Sequence, residues 1–349
     1  MHHNDSVLTK AQIPTPALLL NADHFESNLA RMAAGVKQGG KQLRPHAKAH
    51  KCVEIAKRQI ARGAIGITVA TLPEAEMMAK HSIPGILLTS PIGEASKAAR
   101  IAAIGAMAVV DHPLQVEWYA ATGRPISLLV DLDIGDHRTG ASPSQALEVA
   151  RAIAKHRSLR LAGLQAYSVS GSHGATRDLR KQISQQAFES AASTRALLAK
   201  DGFDAQILSG GSTGTWDIDA ELAQPTELQA GSYVMMDLAY RRAGIDFLPA
   251  MTILATVISA NHDSFVTVDA GFKAFATDRG YGPETASLPD APYRWAGDEF
   301  GYLDTRLKLG DRVEFIAPHC DPTVNLYDRI YVCRGETVEA IWSVMERYA

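Results

Sequence analysis

Cysteine is scarce in this chain: Cys52, Cys320 and Cys333 are the only three in 349 residues, and none forms a CxxC pair. That excludes a disulfide scaffold and a multi-thiolate metal knuckle, and it predicts buried thiols in a reducing compartment. An excess of either charge is also missing. With 35 Lys and Arg against 38 Asp and Glu, the chain offers no broad basic surface to nucleic acid. Long apolar runs are absent too: "IAAIGAMAVV" is far too short to cross a bilayer, and the opening "MHHNDSVLTKAQ" has no apolar core of signal-peptide length. The expectation is a cytoplasmic protein that binds neither membrane nor nucleic acid. Finally, no GxGxxG follows the first strand-like run "PALLLN", so a dinucleotide-binding sheet has little support.

What is present reads as α/β. Short apolar runs near "QLRPHAK", "IGITVA", "GILLT", "AMAVV", "ISLLVDLD", "LRLAGLQAY", "AQILSGG" and "TELQAGSY" alternate with helical stretches such as "LPEAEMMAKH", "SPSQALEVARAIAKH" and "DLRKQISQQAFESAASTRALLAK". Eight strands in that alternation predict a (β/α)8 TIM barrel, with an open doubly wound sheet as the alternative. From about Met251 the texture changes to "TILATVISA", "SFVTVDAG", "DRVEFIAP" and "RIYVCRG". We therefore expect a barrel over 22–250 and a C-terminal β domain over 251–349, joined by an N-terminal strand at 14–21. The Gly- and Pro-rich stretch "TDRGYGPETASLPDAPYRWAGDEFGYL" lacks periodicity and reads as a long functional loop.

"RPHAKAHK", Arg44 to Lys51, places five potentially cationic side chains in eight positions. Pro45 argues against a helical face there and for an extended segment ending where the next helix begins, with Lys51 opening that helix. Lys48 then stands at the mouth of a barrel strand. Catalytic groups of such barrels come from the C-terminal strand ends and the loops after them. By this reading Arg138 in "DLDIGDHRTG", Tyr167 in "GLQAYS", the "SGGSTGT" loop and Tyr233 in "AGSYVMMD" fall there as well. Gly210, Gly211, Ser212 and Thr213 read alone as a turn before a helix. After the seventh barrel strand, the same residues can surround a phosphate with backbone N–H groups and hydroxyls, helped by the following helix N-terminus.

The motifs "TPALLL", "RPHAKAHK", "GDHRTG", "LSGGSTGTW", "GSYVMMD" and "PHCDPTVNLYD", in this order, resemble the D-threonine aldolase and D-serine dehydratase-like branch of the alanine racemase-like pyridoxal 5'-phosphate (PLP) enzymes. The resemblance covers nearly the whole chain. It implies that Lys48 is the Schiff-base lysine, that "SGGST" and Tyr233 hold the phosphate, that Arg138 lies near the cofactor's phenolic oxygen and that Tyr167 approaches its ring. Arg44, His46, His50 and Lys51 are candidates to lower the amine pKa and balance phosphate charge. It further implies a homodimer in which the β domain of one chain helps cover the other's barrel mouth.

Near the other end, "APHCDPTVNLYD" raises a metal question. In an extended segment His319 and Asp321 share a face while Cys320 points away. The resemblance makes this pair the ligands of a divalent metal. Dehydratases of the branch carry cysteine at the second position, which favours zinc; a carboxylate suits manganese or magnesium better, with cobalt and zinc as alternatives. Where relatives read "DEHG", this chain has "GDEFG", so Phe300 replaces a histidine. His173, in "SGSHGATRD", is either a catalytic base or polar contact, or an exposed loop histidine.

The expected activity is a metal-assisted, PLP-dependent lyase acting as an aldolase on a small-molecule D-β-hydroxy-α-amino acid, with D-threonine giving glycine and acetaldehyde. The alternatives are a D-serine or 3-hydroxyaspartate dehydratase, a hydroxyaspartate aldolase, and a non-enzymatic PLP carrier.

Overall fold

The computed structural model describes residues 8–345; the start of the N-terminal stretch and the last four residues of the expected β domain lie outside the described residues. The chain divides into two compact units. One comprises Arg31–Lys48 and Val53–Gly231; the other comprises the residues up to Ala30, Ala49–Cys52 and Ser232–Met345.

The first unit is built on eight parallel strands in the spatial order Gln42–Leu43, Glu227–Leu228, Ile207–Gly210, Leu159–Ala166, Ile126–Asp131, Met107–Val110, Leu87–Leu88 and Thr68–Val69. Each lies within one of the runs read as barrel strands from the sequence. Their apolar runs are continuous because both faces are covered: Leu128, Leu129 and Val130 are all fully buried. The ends of the sheet meet. His46 bridges Thr68 in parallel, Thr68 N–H donates to Pro45 O at 2.9 Å and Ile65 N–H to Leu43 O at 2.9 Å. Pro45, which has no N–H to give, thus contributes to closure through its carbonyl.

Helix starts follow local chemistry. Leu72–Lys80 begins after Thr71, whose hydroxyl accepts from Glu74 N–H, and Pro143–Ala154 begins with a capping box between Ser142 and Gln145. Such caps contribute about 1 kcal/mol each. Among the described residues no helix is long and apolar enough to cross a membrane.

The second unit centres on a nine-stranded sheet, mostly antiparallel. Ala17–Asn21 lies inside it, antiparallel to Met251–Ser259 and parallel to Arg329–Arg334. Segments 22–30 and 232–250, expected in the barrel, cluster with this unit instead. The reason is specific: Asn28 exchanges hydrogen bonds with the Leu248 backbone at 2.8 and 2.9 Å, and His24 Nδ1 bonds Pro249 O at 2.7 Å.

The stretch read as a long irregular loop contains three short strands. Tyr293–Trp295 pairs with Gly301–Leu303, and Glu284–Thr285 pairs with Arg312–Ile316. Aromatic packing supplies what periodicity did not: Tyr293 meets Phe275, Trp295 and Phe315 edge-on at 5.0–5.9 Å. A Cβ at Gly301 would come within 2.2 Å of the Tyr293 ring, so only glycine fits beneath it.

Candidate active site

Gln42–Leu43 and the His46 bridge lead into a single 3-10 turn, Ala47–Ala49, which presents Lys48. His46 fixes this turn. Its Nδ1 accepts from Lys48 N–H at 3.4 Å and its Nε2 lies 3.1 Å from Thr89 Oγ, a pattern satisfied by one neutral tautomer. The next α-helix starts at Val53. Lys51, expected to open it, instead adopts φ +47°, with its carbonyl accepting from Met345 N–H at 2.6 Å.

The cationic cluster of the sequence is therefore dispersed. Arg44 is buried and bidentate to Glu227, at 2.9 Å for both Nε–Oε1 and Nη2–Oε2, so its charge is compensated inside the barrel rather than available to a phosphate. His50 and Lys51 belong to the β unit. Lys48 remains.

Its amine lies 5.4 Å from the centre of the Tyr167 ring, and the Arg138 guanidinium lies 5.3 Å from the same ring. These three side chains, with His46, Gln165 and Gln229, line one cavity of about 360 Å³. Arg138 is carried by a loop that carboxylates hold from within. Asp133 accepts from His137 N–H at 3.1 Å, Asp131 from Thr139 Oγ at 2.8 Å, and Asp136 from Ser170 Oγ at 2.6 Å.

Beneath the cavity runs a chain of buried polar groups. Asp131 Oδ1 accepts from Gln165 Nε2 at 2.8 Å; Gln229 Nε2 donates to Gln165 Oε1 at 3.2 Å and Ser209 Oγ at 2.8 Å; Ser209 Oγ donates to Glu227 Oε1 at 2.8 Å. Burial pushes the Asp131 carboxyl up to about 6, against the pull of Gln165 and Thr139. Sequence reading missed Gln165 and Gln229. The signal was there: Gln165 precedes Tyr167 by two on a strand, and Gln229 follows Glu227 by two, the spacing of side chains that share a face.

Gly210 ends the strand Ile207–Gly210, and Gly211, Ser212 and Thr213 follow in a buried turn. A Cβ at Gly210 would lie 2.0 Å from Ala166 O, so a backbone this close to its neighbour requires glycine. The helix after the turn, Trp216–Glu221, has six residues and carries Asp217 and Asp219 in its first turn. Its own acids already offset its positive end, so a phosphate here depends on the loop rather than on the helix.

His173 caps the short helix Val169–Ser172 and is half-buried; it does not line the cavity that holds Lys48. Tyr233 is buried in the 3-10 turn Ser232–Val234 of the β unit, 5.6 Å from the Phe247 ring. Phe300 is 46% exposed.

His319 and Asp321 do not lie on an extended segment. His319 is the extended N-cap (φ −146°) of the helix Cys320–Val324, and Asp321 sits in its first turn. The cause is distant in sequence: buried Asp237 accepts from Cys320 N–H at 2.8 Å and from Tyr240 N–H at 2.9 Å, and Thr323 Oγ donates to His319 O at 2.6 Å. Cys320 is fully buried. Asp321 Oδ1 accepts from Ser232 Oγ at 2.9 Å, and Asp278 lies 2.8 Å from His319 Nδ1. A carboxylate on Nδ1 leaves Nε2 as the lone-pair nitrogen of neutral imidazole, the tautomer a metal ligand needs. Among the described residues, no group of three or more His, Cys, Asp or Glu is arranged to hold a metal. A mixed imidazole and carboxylate pair fits a hard divalent cation that keeps several waters, not a closed zinc site.

The sequence matches the family "Alanine racemase, N-terminal domain" over residues 20–239 and the family "Putative serine dehydratase domain" over 250–333. It is 36% identical to a D-threonine aldolase of Arthrobacter sp. over 97% of this chain and 93% of the relative. The chain belongs to the D-threonine aldolase and D-serine dehydratase-like family of alanine racemase-like, PLP-dependent enzymes. It is a lyase of this aldolase-like group. A 3-hydroxy-D-aspartate aldolase of Paracoccus denitrificans is 31% identical over 97% of this chain and 94% of the relative. The crystal structure of D-threonine aldolase from Filomicrobium marinum superposes with a TM-score of 0.93 at 34% identity, covering 97% of each chain.

The site residues fit the family's cofactor on their own chemistry. A lysine amine and an arginine flank one aromatic ring at a barrel mouth, and a glycine turn closely packed on its neighbour ends an adjoining strand. A larger cleft of about 640 Å³ lies in the β unit, but two of its charged groups, Lys10 and Glu314, pair with each other at 2.7 Å.

Proposed function

We propose that this lyase is a PLP- and divalent-metal-dependent aldolase that cleaves D-β-hydroxy-α-amino acids, with D-threonine giving glycine and acetaldehyde. The observation that carries the choice of reaction is the carboxylate of Asp321, two residues after His319: a hard oxygen donor favours manganese or magnesium at the pair over a thiolate-bound zinc. Three buried, unbridged cysteines support a cytoplasmic setting.

In the balanced reaction the Cα–Cβ bond breaks, the β-hydroxyl loses its proton as the aldehyde forms, and Cα gains a proton. When bound, PLP supplies the sink for the electron pair released at Cα. A divalent cation supplies a Lewis acid for the β-oxygen. Lys48 would hold PLP in the barrel cavity and supply the proton to Cα. Tyr167 and Arg138 would orient the ring and its phenolic oxygen, and Gly210, Gly211, Ser212, Thr213 and Tyr233 would hold the phosphate. His319 and Asp321 would hold the cation, with Ser232 and Asp278 fixing their orientation. His173 lies outside the cavity that holds Lys48 and is given no step.

The test is product analysis with each threonine stereoisomer and with 3-hydroxyaspartate, using protein loaded with PLP and Mn2+. D-threonine or D-allo-threonine gives equal glycine and acetaldehyde, the L-isomers react poorly, and borohydride reduction fixes the cofactor on the Lys48 peptide. Stoichiometric 2-oxo acid and ammonia without glycine would assign a dehydratase. A strong preference for 3-hydroxyaspartate with glycine formed would assign the hydroxyaspartate aldolase.

A further inference from the structure

Behind the turn Gly210–Thr213 lies a carboxyl group that the proposed chemistry does not use. Asp219 is fully buried. Its Oδ1 accepts from Ser184 Oγ on the helix Arg177–Lys200, its Oδ2 accepts from Thr215 Oγ at 2.5 Å, and Ser212 N–H also bonds to it. Ser212 Oγ in turn lies 3.0 Å from Thr215 Oγ. Gly211 stands at φ +76°, and a Cβ there would come within 2.6 Å of Asp219 Oδ2. Glycine at 211 is thus required twice, by the left-handed backbone and by the close approach of this carboxyl. Burying a carboxyl costs several kcal/mol unless hydrogen bonds compensate it, and a satisfied hub of this kind rigidifies what it touches. What it touches is the turn. Burial also pushes the group up to about 7, against the pull of Ser184 and Thr215, so near neutral pH it is partly uncharged and opposes a neighbouring anion less.

We propose that Asp219 is the positioning residue of the phosphate cradle, holding the turn from Gly210 to Thr215 from its buried side and so setting affinity for the phosphate of PLP rather than for its ring. This rests on reading that turn as the cradle. A phosphate gains from N–H and hydroxyl groups only if they are already aimed, because each group that must be reordered on binding subtracts from affinity. Asp219 removes that cost by committing Thr215 and the Ser212 backbone before the anion arrives. Pyridoxal, which has the same ring and aldehyde without the phosphate, does not use the turn at all.

The experiment measures dissociation constants for PLP and for pyridoxal on the full-length protein freed of cofactor with hydroxylamine, in wild type, Asp219→Ala and Ser184→Ala, with the 31P spectrum of each PLP-loaded protein. Asp219→Ala is expected to weaken PLP about tenfold or more, as loss of the hydrogen bonds that hold the turn implies, while pyridoxal changes by less than about twofold. Ser184→Ala removes one donor from outside the turn, in case the first variant folds poorly; it shifts PLP affinity in the same direction by less. The 31P resonance moves in both. Equal weakening of PLP and pyridoxal, or no change in either, would overturn the proposal and leave the cradle standing. If wild type binds pyridoxal as tightly as PLP, the turn is not a phosphate cradle and both readings fall.

Discussion

At the scale of single residues, the barrel interior carries charge that only its partners make tolerable. Arg44 and Glu227 compensate each other, whereas among the described residues the side-chain donors to Asp131, Gln165 and Thr139, are neutral. Both of those donors line the cavity with Lys48. The carboxyl is pushed up to about 6 by burial, above its ordinary value of 3.8. Well below pH 3.8 it is neutral in folded and unfolded chains alike. As pH rises toward 6 the unfolded chain ionises first, so the stability this group contributes at low pH is lost across that window. Asp131→Asn has no proton to release and keeps an acceptor for Gln165. The stability difference between variant and wild type therefore moves in the variant's favour between pH 4 and pH 7, by about 3 kcal/mol at most. Urea unfolding of both proteins across that range checks it; parallel curves would mean that Asp131 titrates normally in the fold.

At the scale of elements, what was legible depended on whether the cause was local. Most of the barrel strands were readable because strands covered on both faces are largely continuous apolar runs, Gln42–Leu43 and Glu227–Leu228 being the exceptions, and the helix starts because Thr71 and Ser142 sit where caps belong. Lys48, Arg138 and Tyr167 were readable from motifs at strand ends, and they line one cavity. In "RPHAKAHK" the compensation of Arg44 was not legible, because its partner Glu227 lies 183 residues away, whereas His46 and Lys48 of the same stretch line the cavity. The turn at His319 was misread for the same reason: Asp237, 83 residues earlier, accepts Cys320 N–H and starts a helix where alternation suggested a strand. Nothing in "TWDIDAE" distinguishes Asp219 from its acidic neighbours Asp217 and Glu221, because its burial comes from packing against Ser184 and the preceding turn. The helical turn gives the proposed ligands a fixed support, pinned by Asp237 and by Thr323, whose hydroxyl also accepts from Ala276 N–H at 3.0 Å. His319→Ala and Asp321→Ala cut the side chains without cutting those bonds. Each should lower turnover by about 100-fold or more, the loss that several kcal/mol of Lewis-acid stabilisation implies, while PLP absorbance and melting temperature stay near wild type. Chelation of wild type should give the same loss, and Mn2+ should restore wild type but neither variant. Full activity after verified metal removal would take the cation out of the mechanism.

At the scale of the whole molecule, the boundary between units does not follow chain order. The change of texture at Met251 marked the start of a β strand, whereas the compact barrel unit already ends at Gly231, and strand Ala17–Asn21 belongs to the β unit. Local periodicity reports which element a segment forms, not which unit it packs with; Asn28 and His24 decide that through bonds to residues 248 and 249. The β unit also leaves large apolar side chains in contact with solvent. Phe272 is 42% exposed while stacked on Trp295 at 4.8 Å, and Phe300 is 46% exposed. Scattered apolar side chains are ordinary on a surface, but paired aromatics are what an association face uses. Together with the family resemblance, this supports a homodimer as the active form. Sedimentation equilibrium across a dilution series should give a species of twice 37.5 kDa that dissociates only at low concentration. Specific activity should fall along the same dilution curve if the partner chain's β domain helps cover the barrel mouth, as the family resemblance implies. A dimer whose activity is independent of dissociation would place every catalytic group within one chain. A fully active monomer at all concentrations would contradict the assembly itself.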